Sequence, residues 1–358
     1  MNRNDFLTDS FLKQLSAKRW DEEKANKWYK KQPWFVGCNY IPSTAINQLE
    51  MFQESTFDLQ QIDKELQLAE DIGLNALRIF LHNLLWEDDS SSFKKRIKKF
   101  LEISEKHNMK ILFVLFDEMW NQFPKLGAQP TPIPGIHNSG WVAGPGKKRI
   151  KKIEDFPIFR DYVQDIISTF AKDNRIIGWD IYNEPGNMGI RKRSLPLVIA
   201  GISWARKINP SQPITVGAYY DPFYPKINEI CFNQSDIISF HDYSKAEETL
   251  KIIKTLNEFN RPILCTEYLA RTHKNLFESH LPIFKKHKIG AFHWGLVAGK
   301  TQTIYPWDSK KGNAEPELWY HDVFYPDGTP YSQNEIEFIK EIIKKHKKIN
   351  YTNKRNDK

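Results

Sequence analysis

The feature of the sequence that most constrains its fold is an alternation of short apolar runs with amphipathic helical patterns. The apolar runs, rich in β-branched and aromatic residues, cover residues 33–40, 75–82, 109–116, 176–184, 212–219, 236–243, 262–270 and 288–297. Helical patterns follow them at residues 59–72, 91–107, 158–172, 193–208, 225–233, 245–259, 274–287 and 333–347. This alternation is typical of parallel strands joined by helical crossovers.

Eight strand and helix pairs in a chain of 358 residues predict an α/β fold, a single (β/α)8 TIM barrel. An open doubly wound sheet is the alternative, but it usually carries a glycine-rich turn after its first strand. The turn here reads GCNYIPSTAINQ, which favours the barrel. We expect an N-terminal helical extension over residues 1–32, the barrel over residues 33–347 and a basic tail over residues 348–358.

Two connections are too long to be simple links between elements. Residues 117–149 follow the third strand and residues 298–330 follow the eighth. Both begin at the carboxyl end of a strand, where barrel active sites lie, and loops of this length are usually functional or disordered. Their tryptophans argue for order; they are Trp120, Trp141, Trp307 and Trp319.

Polar side chains collect at the predicted strand ends. Glu184 ends the fourth strand and Glu267 lies in the seventh. These strands lie on opposite sides of a narrow barrel, so the two carboxyl groups can face each other across its mouth. Such a pair can cleave a glycosidic bond, since one acid protonates the leaving oxygen and the other carboxylate acts at the anomeric carbon. In a retaining enzyme the two groups are about 5–5.5 Å apart.

The neighbours of the two acids have predicted tasks. Arg78 would keep Glu267 ionised, because an adjacent cation lowers a carboxyl pKa, and Tyr243 would donate a hydrogen bond to the same group. Glu184 would hold its proton near neutral pH in an apolar or like-charged environment. Asn183 would bind the sugar 2-hydroxyl, and Trp294 would present a flat face to the sugar ring.

Taken together, these residues resemble the retaining clan A glycoside hydrolases, and most closely family 5, which contains cellulases and β-mannanases. The matching positions are Arg78, Asn183-Glu184-Pro185, His241, Tyr243, Glu267 and Trp294, in that order along strands two, four, six, seven and eight. The resemblance implies that Glu184 is the acid/base and Glu267 the nucleophile of a double displacement through a covalent glycosyl-enzyme intermediate. The other matched residues would support the −1 sugar.

The implied substrate is a β-linked oligosaccharide or polysaccharide, of the β-1,4-glycan type that includes glucan, mannan and xylan. Family 5 commonly carries a histidine at the end of the third strand, where this chain has Asp117 and Glu118, so His82 or His137 would fill that role. We expect the substrate-binding residues to be Trp294, Asn39, His82, Asp117, Trp120, Trp141 and Trp307.

Two other functions remain open from the residues alone. One is a metal-dependent barrel hydrolase with ligands from His82, Asp117, His241, Asp242 and one glutamate, although the first strand lacks the paired histidines of many such sites. The other is a catalytically inactive barrel that binds carbohydrate through its tryptophans. The glycosidase interpretation requires no cofactor and no metal ion.

Charge and cysteine usage exclude other classes of protein. The formal net charge of +8 is spread over lysine-rich helical stretches and the tail, without an aromatic-basic recognition motif, so a nucleic-acid partner is not expected. Cys38, Cys231 and Cys265 lack metal or redox spacing and are expected to be buried thiols.

The N-terminal sequence lacks the apolar region of a signal peptide, and no segment reaches the length of a membrane span. The sequence as written therefore predicts a cytoplasmic protein that does not bind membranes. A signal peptide removed upstream would instead place it in the periplasm or outside the cell. The oligomeric state is left open.

Overall fold

The computed structural model describes residues 3–219 and 225–356 of the chain. Its parallel strands form one closed barrel in sequence order, which confirms the predicted (β/α)8 fold. The strands are β1 (Val36–Asn39), β2 (Ala76–Phe80), β3 (Lys110–Asp117), β4 (Ile176–Asn183), β5 (Ile214–Tyr219), β6 (Ile238–His241), β7 (Ile263–Tyr268) and β8 (Gly290–Trp294).

Helices surround the barrel and follow the predicted patterns. They are α1 (Asp9–Ser16), α2 (Glu22–Lys30), α3 (Gln48–Phe52), α4 (Leu59–Asp71), α5 (Asn83–Lys106), α6 (Phe156–Phe170), α7 (Leu195–Ile208), α8 (Pro225–Gln234), α9 (Ala246–Asn257), α10 (Phe277–Lys286) and α11 (Gln333–Asn356). The pattern at residues 91–107 corresponds to the second half of α5, which bends at Asp89. Helices α1 and α2 lie within the predicted N-terminal helical extension, whereas the short helix α3 was not predicted.

Side chains inside the barrel form an apolar layer beneath a polar one. The apolar layer consists of Phe35, Ala76, Leu112, Ile177, Ile237, Leu264 and Phe292. Alternate residues of a strand point to opposite faces, so Arg78, two residues after Ala76, also points inward but one level higher. Asn39 pairs with Arg78 on one side and with Trp294 on the other, which brings the polar residues to one level at the carboxyl ends of the strands.

The N-terminal extension packs against the helix layer. Phe6 and Leu15 are buried in the main core, and the ring of Phe6 lies 5.8 Å from that of Phe156. Arg206 on α7 donates a hydrogen bond to the carbonyl of Leu15 at 2.8 Å. The extension therefore shares a core with the barrel, and the domain boundary at residue 32 stays a prediction.

At the other end of the chain, α11 continues to Asn356 and so includes most of the predicted basic tail, while residues 357–358 lie outside the described part. The three cysteines are free and buried, as predicted. Within residues 3–219 and 225–356, none of the helices combines the length and hydropathy that a membrane span requires.

Candidate active site

Arg78 is the centre of a buried polar network at the mouth of the barrel. Its side chain is fully buried and donates hydrogen bonds to Glu267 at 2.7 Å and to Asp180 at 2.8 Å. It also donates to the side-chain oxygens of Asn39 at 2.9 Å and Asn183 at 2.7 Å. A buried charge is tolerated only when it is paired and hydrogen-bonded, and here two carboxylates and two amides meet that requirement.

Glu267 accepts hydrogen bonds on both of its carboxyl oxygens. Arg78 donates to Oε1, and the Tyr243 hydroxyl donates to Oε2 at 2.8 Å. Burial raises the pKa of Glu267 to about 7, although His241, Arg78 and Tyr243 favour the ionised form. The predicted partners of this acid are therefore in place, but desolvation offsets the effect of Arg78 on its pKa.

Glu184 follows β4 directly and has a left-handed backbone, with φ 48°. Its amide donates a hydrogen bond to the carbonyl of Gly217 on β5 at 2.7 Å, which fixes this unusual conformation against the barrel. Asn187 donates to Glu184 Oε2 at 2.7 Å. Burial raises the pKa of Glu184 to about 7, while Asn187 and Arg78 lower it.

His241 lies between the two acids. Its Nδ1 is 2.7 Å from Glu184 Oε1 and 3.4 Å from Glu267 Oε2. One oxygen of each glutamate and a nitrogen of His241 lie within 4.8 Å of one another. Burial lowers the pKa of His241 to about 4, so the imidazole is neutral at pH 7.

The protonation of the pair follows from its surroundings. Two carboxylates this close repel each other, which disfavours ionisation of both. Glu267 has a guanidinium 2.7 Å away, whereas Glu184 is bonded directly only to neutral groups. The negative charge is therefore favoured on Glu267 and the proton on Glu184.

Asn183 is held in a defined orientation by its two partners. Its Oδ1 accepts from Arg78 and its Nδ2 donates to Asp117 Oδ1 at 2.8 Å. Arginine can only donate, so this assignment of the amide is the one that satisfies both partners. Asp117 in turn accepts a hydrogen bond from Trp141 Nε1 at 2.7 Å, which connects β4 to the loop after β3.

The acids face a cleft of about 280 Å³. The predicted site residues that line it are Trp120, Asn183, Glu184, Tyr243, Glu267, Trp294 and Trp307. His137, one of the two candidates for the missing third-strand histidine, also lines the cleft. Sequence reasoning did not single out Met119, Asn138, Asn187, Tyr219 or His321, which complete the lining.

Four of the residues predicted to bind substrate do not line the cleft, and three of them, Asn39, Asp117 and Trp141, are buried beside residues that do. Asn39 and Asp117 are buried and bonded to Arg78 and Asn183, so they support those side chains. Trp141 is buried, with its ring 5.7 Å from that of Trp294 in an edge-on arrangement. These contacts place all three in a supporting layer.

His82, the fourth of these residues, does not line the cleft either, and its contact with substrate stays a prediction. Its Nδ1 accepts from the Leu84 amide at 3.1 Å, and its Nε2 lies 3.2 Å from the Ala143 carbonyl. Nδ1 is thus used at the start of α5, and Nε2 faces the loop after β3. The sequence predicted that His82 lies at the end of a strand, but it did not predict that the side chain caps α5.

The ligand set of the metal-dependent alternative does not assemble. In the described part of the chain, the single group of three close metal-ligating side chains is Glu184, His241 and Glu267. A metal ion in that group would lie beside the guanidinium of Arg78, which already pairs with Glu267. Three of the five ligand positions of that alternative, His82, Asp117 and Asp242, therefore lie outside the group.

A closed (β/α)8 barrel with paired acids at its mouth is an architecture of glycoside hydrolases. The family model described as cellulase, glycosyl hydrolase family 5, matches residues 44–296. This match spans more than half of the chain, so the chain belongs to glycosyl hydrolase family 5. No curated protein sequence matches it.

Solved structures with the same fold include several family members. The exo-beta-1,4-mannosidase Op5Man5 from Opitutaceae bacterium strain TAV5 has a TM-score of 0.60 at 14% identity, over 88% of this chain and 60% of the mannosidase. This chain therefore spans less than two thirds of that enzyme.

Two further structures cover most of the chain. GH5_18 from Streptomyces cattleya, solved with GlcNAc, has a TM-score of 0.63 at 12% identity, over 87% of this chain and 80% of that one. The hyperthermostable endo-1,4-beta-D-mannanase from Thermotoga petrophila RKU-1 has a TM-score of 0.56 at 15% identity, over 86% of this chain and 99% of the mannanase. At these identities the similarity shows the fold.

Proposed function

We propose that this protein is a retaining β-glycosidase in which Glu184 is the acid/base and Glu267 the nucleophile. The observation that carries the proposal is the spacing of the two acids. One carboxyl oxygen of Glu184, one of Glu267 and a ring nitrogen of His241 lie within 4.8 Å of one another. Retaining enzymes place their carboxyl groups about 5–5.5 Å apart, whereas inverting enzymes leave about 6.5–9.5 Å for a water molecule.

In the first step Glu267 attacks the anomeric carbon from the face opposite the leaving group. The bond to the leaving oxygen breaks as Glu184 transfers its proton to that oxygen. Arg78 and Tyr243 hold Glu267 from the sides, which orients the attacking oxygen. The product is a glycosyl-enzyme ester and a free alcohol.

In the second step Glu184, now ionised, removes a proton from water while the water oxygen attacks the anomeric carbon. The ester to Glu267 breaks, the sugar leaves with its original configuration, and both acids return to their starting states. Glu184 has to gain and lose a proton in each cycle, and a pKa near 7 suits both roles at neutral pH.

The supporting groups suit a pyranose sugar at the −1 position. Trp294 lines the cleft and supplies an apolar face for the ring, and Asn183 lies beside both acids, where it can bond the 2-hydroxyl. We propose a β-1,4-linked glucan, mannan or xylan, or an oligosaccharide of one of them, as the substrate. The mannosidase and mannanase names of similar structures make β-mannosides the first compounds to test.

The test begins with a panel of aryl β-glycosides, including mannoside, glucoside and xyloside. Glu267→Ala should lower kcat by at least about 10⁴-fold, as for groups that act as a catalytic unit. Azide should then restore turnover with opposite stereochemistry in two variants. With Glu267→Ala it should give the α-glycosyl azide, and with Glu184→Ala the β-glycosyl azide, because azide replaces a different group in each.

Glu248→Ala, on an exposed face of α9, is the matched control and should retain wild-type turnover. An unchanged rate in Glu267→Ala, or the same azide anomer from both active-site variants, would overturn the assignment.

A further inference from the structure

The loops after β3 and β8 meet above the barrel. Their strands are separated by β1 and β2 in the closed sheet, so the loops pass over the ends of those two strands. The backbone N–H of Asn138 donates to the Thr301 carbonyl at 2.8 Å, and His137 Nδ1 lies 2.7 Å from the Tyr305 carbonyl. Gln302 Nε2 donates to the Ile133 carbonyl at 2.8 Å. We call residues 133–138 and 301–309 the loop wall.

The segment after β1 ties down both parts of the loop wall. Asn47 Nδ2 donates to the Gly140 carbonyl at 2.8 Å, just beyond the first part. The Lys300 amide donates to the Ser43 carbonyl at 3.0 Å, just before the second. His137 is buried and its ring lies 5.4 Å from that of His321, from the same loop as the second part. The loop wall is therefore a packed part of the molecule.

The two ends of the cleft differ in what they can hold. Glu184 follows β4, and because it would protonate the leaving oxygen, the leaving group lies on its side of the cleft. Trp294 ends β8, next to β1, and would hold the −1 sugar. A further sugar on the non-reducing side of the −1 sugar, away from the leaving group, would have to occupy the space above β1 and β2. The loop wall already fills that space.

From this arrangement, and on the basis of the proposed function, we infer that the enzyme is exo-acting and removes one sugar at a time from the non-reducing end of a β-linked chain. The cleft volume of about 280 Å³ is just below the range of about 300–1,000 Å³ that is common for ligand sites, which agrees with a site for few sugars.

Asn138 supplies a second, independent observation. Its side chain is 2% exposed and lines the cleft, and its Oδ1 has no hydrogen-bond partner among the described residues. A buried acceptor without a partner costs free energy, which a donor from the ligand would recover. We assign this oxygen to the terminal hydroxyl of the −1 sugar, the group that is free only at the end of a chain.

The first experiment compares β-1,4-linked manno- and gluco-oligosaccharides with their derivatives blocked at the non-reducing end by a 4,6-acetal. Exo action predicts release of a single monosaccharide from the earliest time points and at least 100-fold slower hydrolysis of the blocked compounds. Equal rates and a mixture of internal fragments would overturn the inference while leaving the glycosidase assignment intact. Failure to hydrolyse any oligosaccharide or aryl β-glycoside would overturn both.

The second experiment removes the Asn138 side chain. Asn138 has φ 48°, so Asn138→Gly keeps the backbone free of strain, and Asn260→Gly, at φ 52° on the exposed surface before β7, is the matched control. Loss of the hydrogen bond should lower kcat/KM toward the aryl glycoside about tenfold.

A 4-deoxy aryl glycoside distinguishes recognition from a structural effect. The wild type and Asn138→Gly should hydrolyse this analogue at similar rates, because the hydroxyl that Asn138 would bind is missing. An Asn138→Gly variant as active as the control on the 4-hydroxy substrate, or equally impaired on both substrates, would overturn the assignment of Asn138.

Discussion

Glu184 and Glu267 are equally buried, but their neighbours differ in charge. Glu267 is bonded to a guanidinium, and Glu184 to the neutral side chains of Asn187 and His241. The pairing of Arg78 with Glu267 could be predicted from the sequence, because both residues lie in strands whose inward-facing positions follow from a period of two. It could not predict Asn187, which lies in a loop whose path depends on contacts distant in sequence.

Asn187 provides a test of the acid through pH dependence. Its hydrogen bond favours ionised Glu184, so its loss should raise the pKa of that acid and move the alkaline limb of kcat/KM upward by about 0.5 pH unit. Asn187→Leu is the suitable change, because a side chain of similar size keeps water from Glu184. The measurement is the pH profile for an aryl β-glycoside.

The exposed Asn257 on α9 provides the control, Asn257→Leu. The alkaline limb of its kcat/KM profile should stay at the wild-type pH. An alkaline limb that stays in place or moves downward in Asn187→Leu would contradict the role given to this hydrogen bond.

At the scale of elements, the periodic patterns predicted each strand and, apart from the short α3, the helices between them, because both depend on local burial. Patterns of this kind do not show how loops pair. His82 illustrates the limit, since it lies at a strand end as predicted, but its ring accepts a hydrogen bond from the Leu84 amide of α5 and faces the Ala143 carbonyl in the loop after β3.

The attachment of α11 is a second result of long-range contacts. Glu335, in its first turn, forms a two-fold hydrogen-bonded pair with Arg271 after β7 at 2.7 and 2.8 Å. The guanidinium is almost fully buried. Removing one member of such a pair leaves an unpaired buried charge.

Glu335→Ala should therefore lower the free energy of unfolding by about 3 kcal/mol, measured by urea denaturation. The exposed pair of Glu248 and Lys251 on α9 provides the control, and Glu248→Ala should change stability by less than about 0.5 kcal/mol. Similar losses in the two variants would mean that the pair with Arg271 does not hold α11 in place.

At the scale of the whole molecule, the barrel brings together residues that are far apart in the chain, and the long loops determine the shape of the cleft. The order of the strands allowed Glu184 and Glu267 to be matched across the mouth from the sequence. The meeting of the two loops over β1 and β2 had no sequence signal, because hydrogen bonds that join them end on backbone carbonyls, of Ile133, Thr301 and Tyr305, and a carbonyl is the same in every residue.

The most direct test of the central claim is the stereochemistry of the first product, followed by proton NMR during hydrolysis of an aryl β-glycoside. Two acids this close predict that the β-anomer appears first and that the α-anomer grows in only as the free sugar mutarotates. Initial appearance of the α-anomer would mean that water, and not Glu267, attacks the anomeric carbon, and would contradict the account.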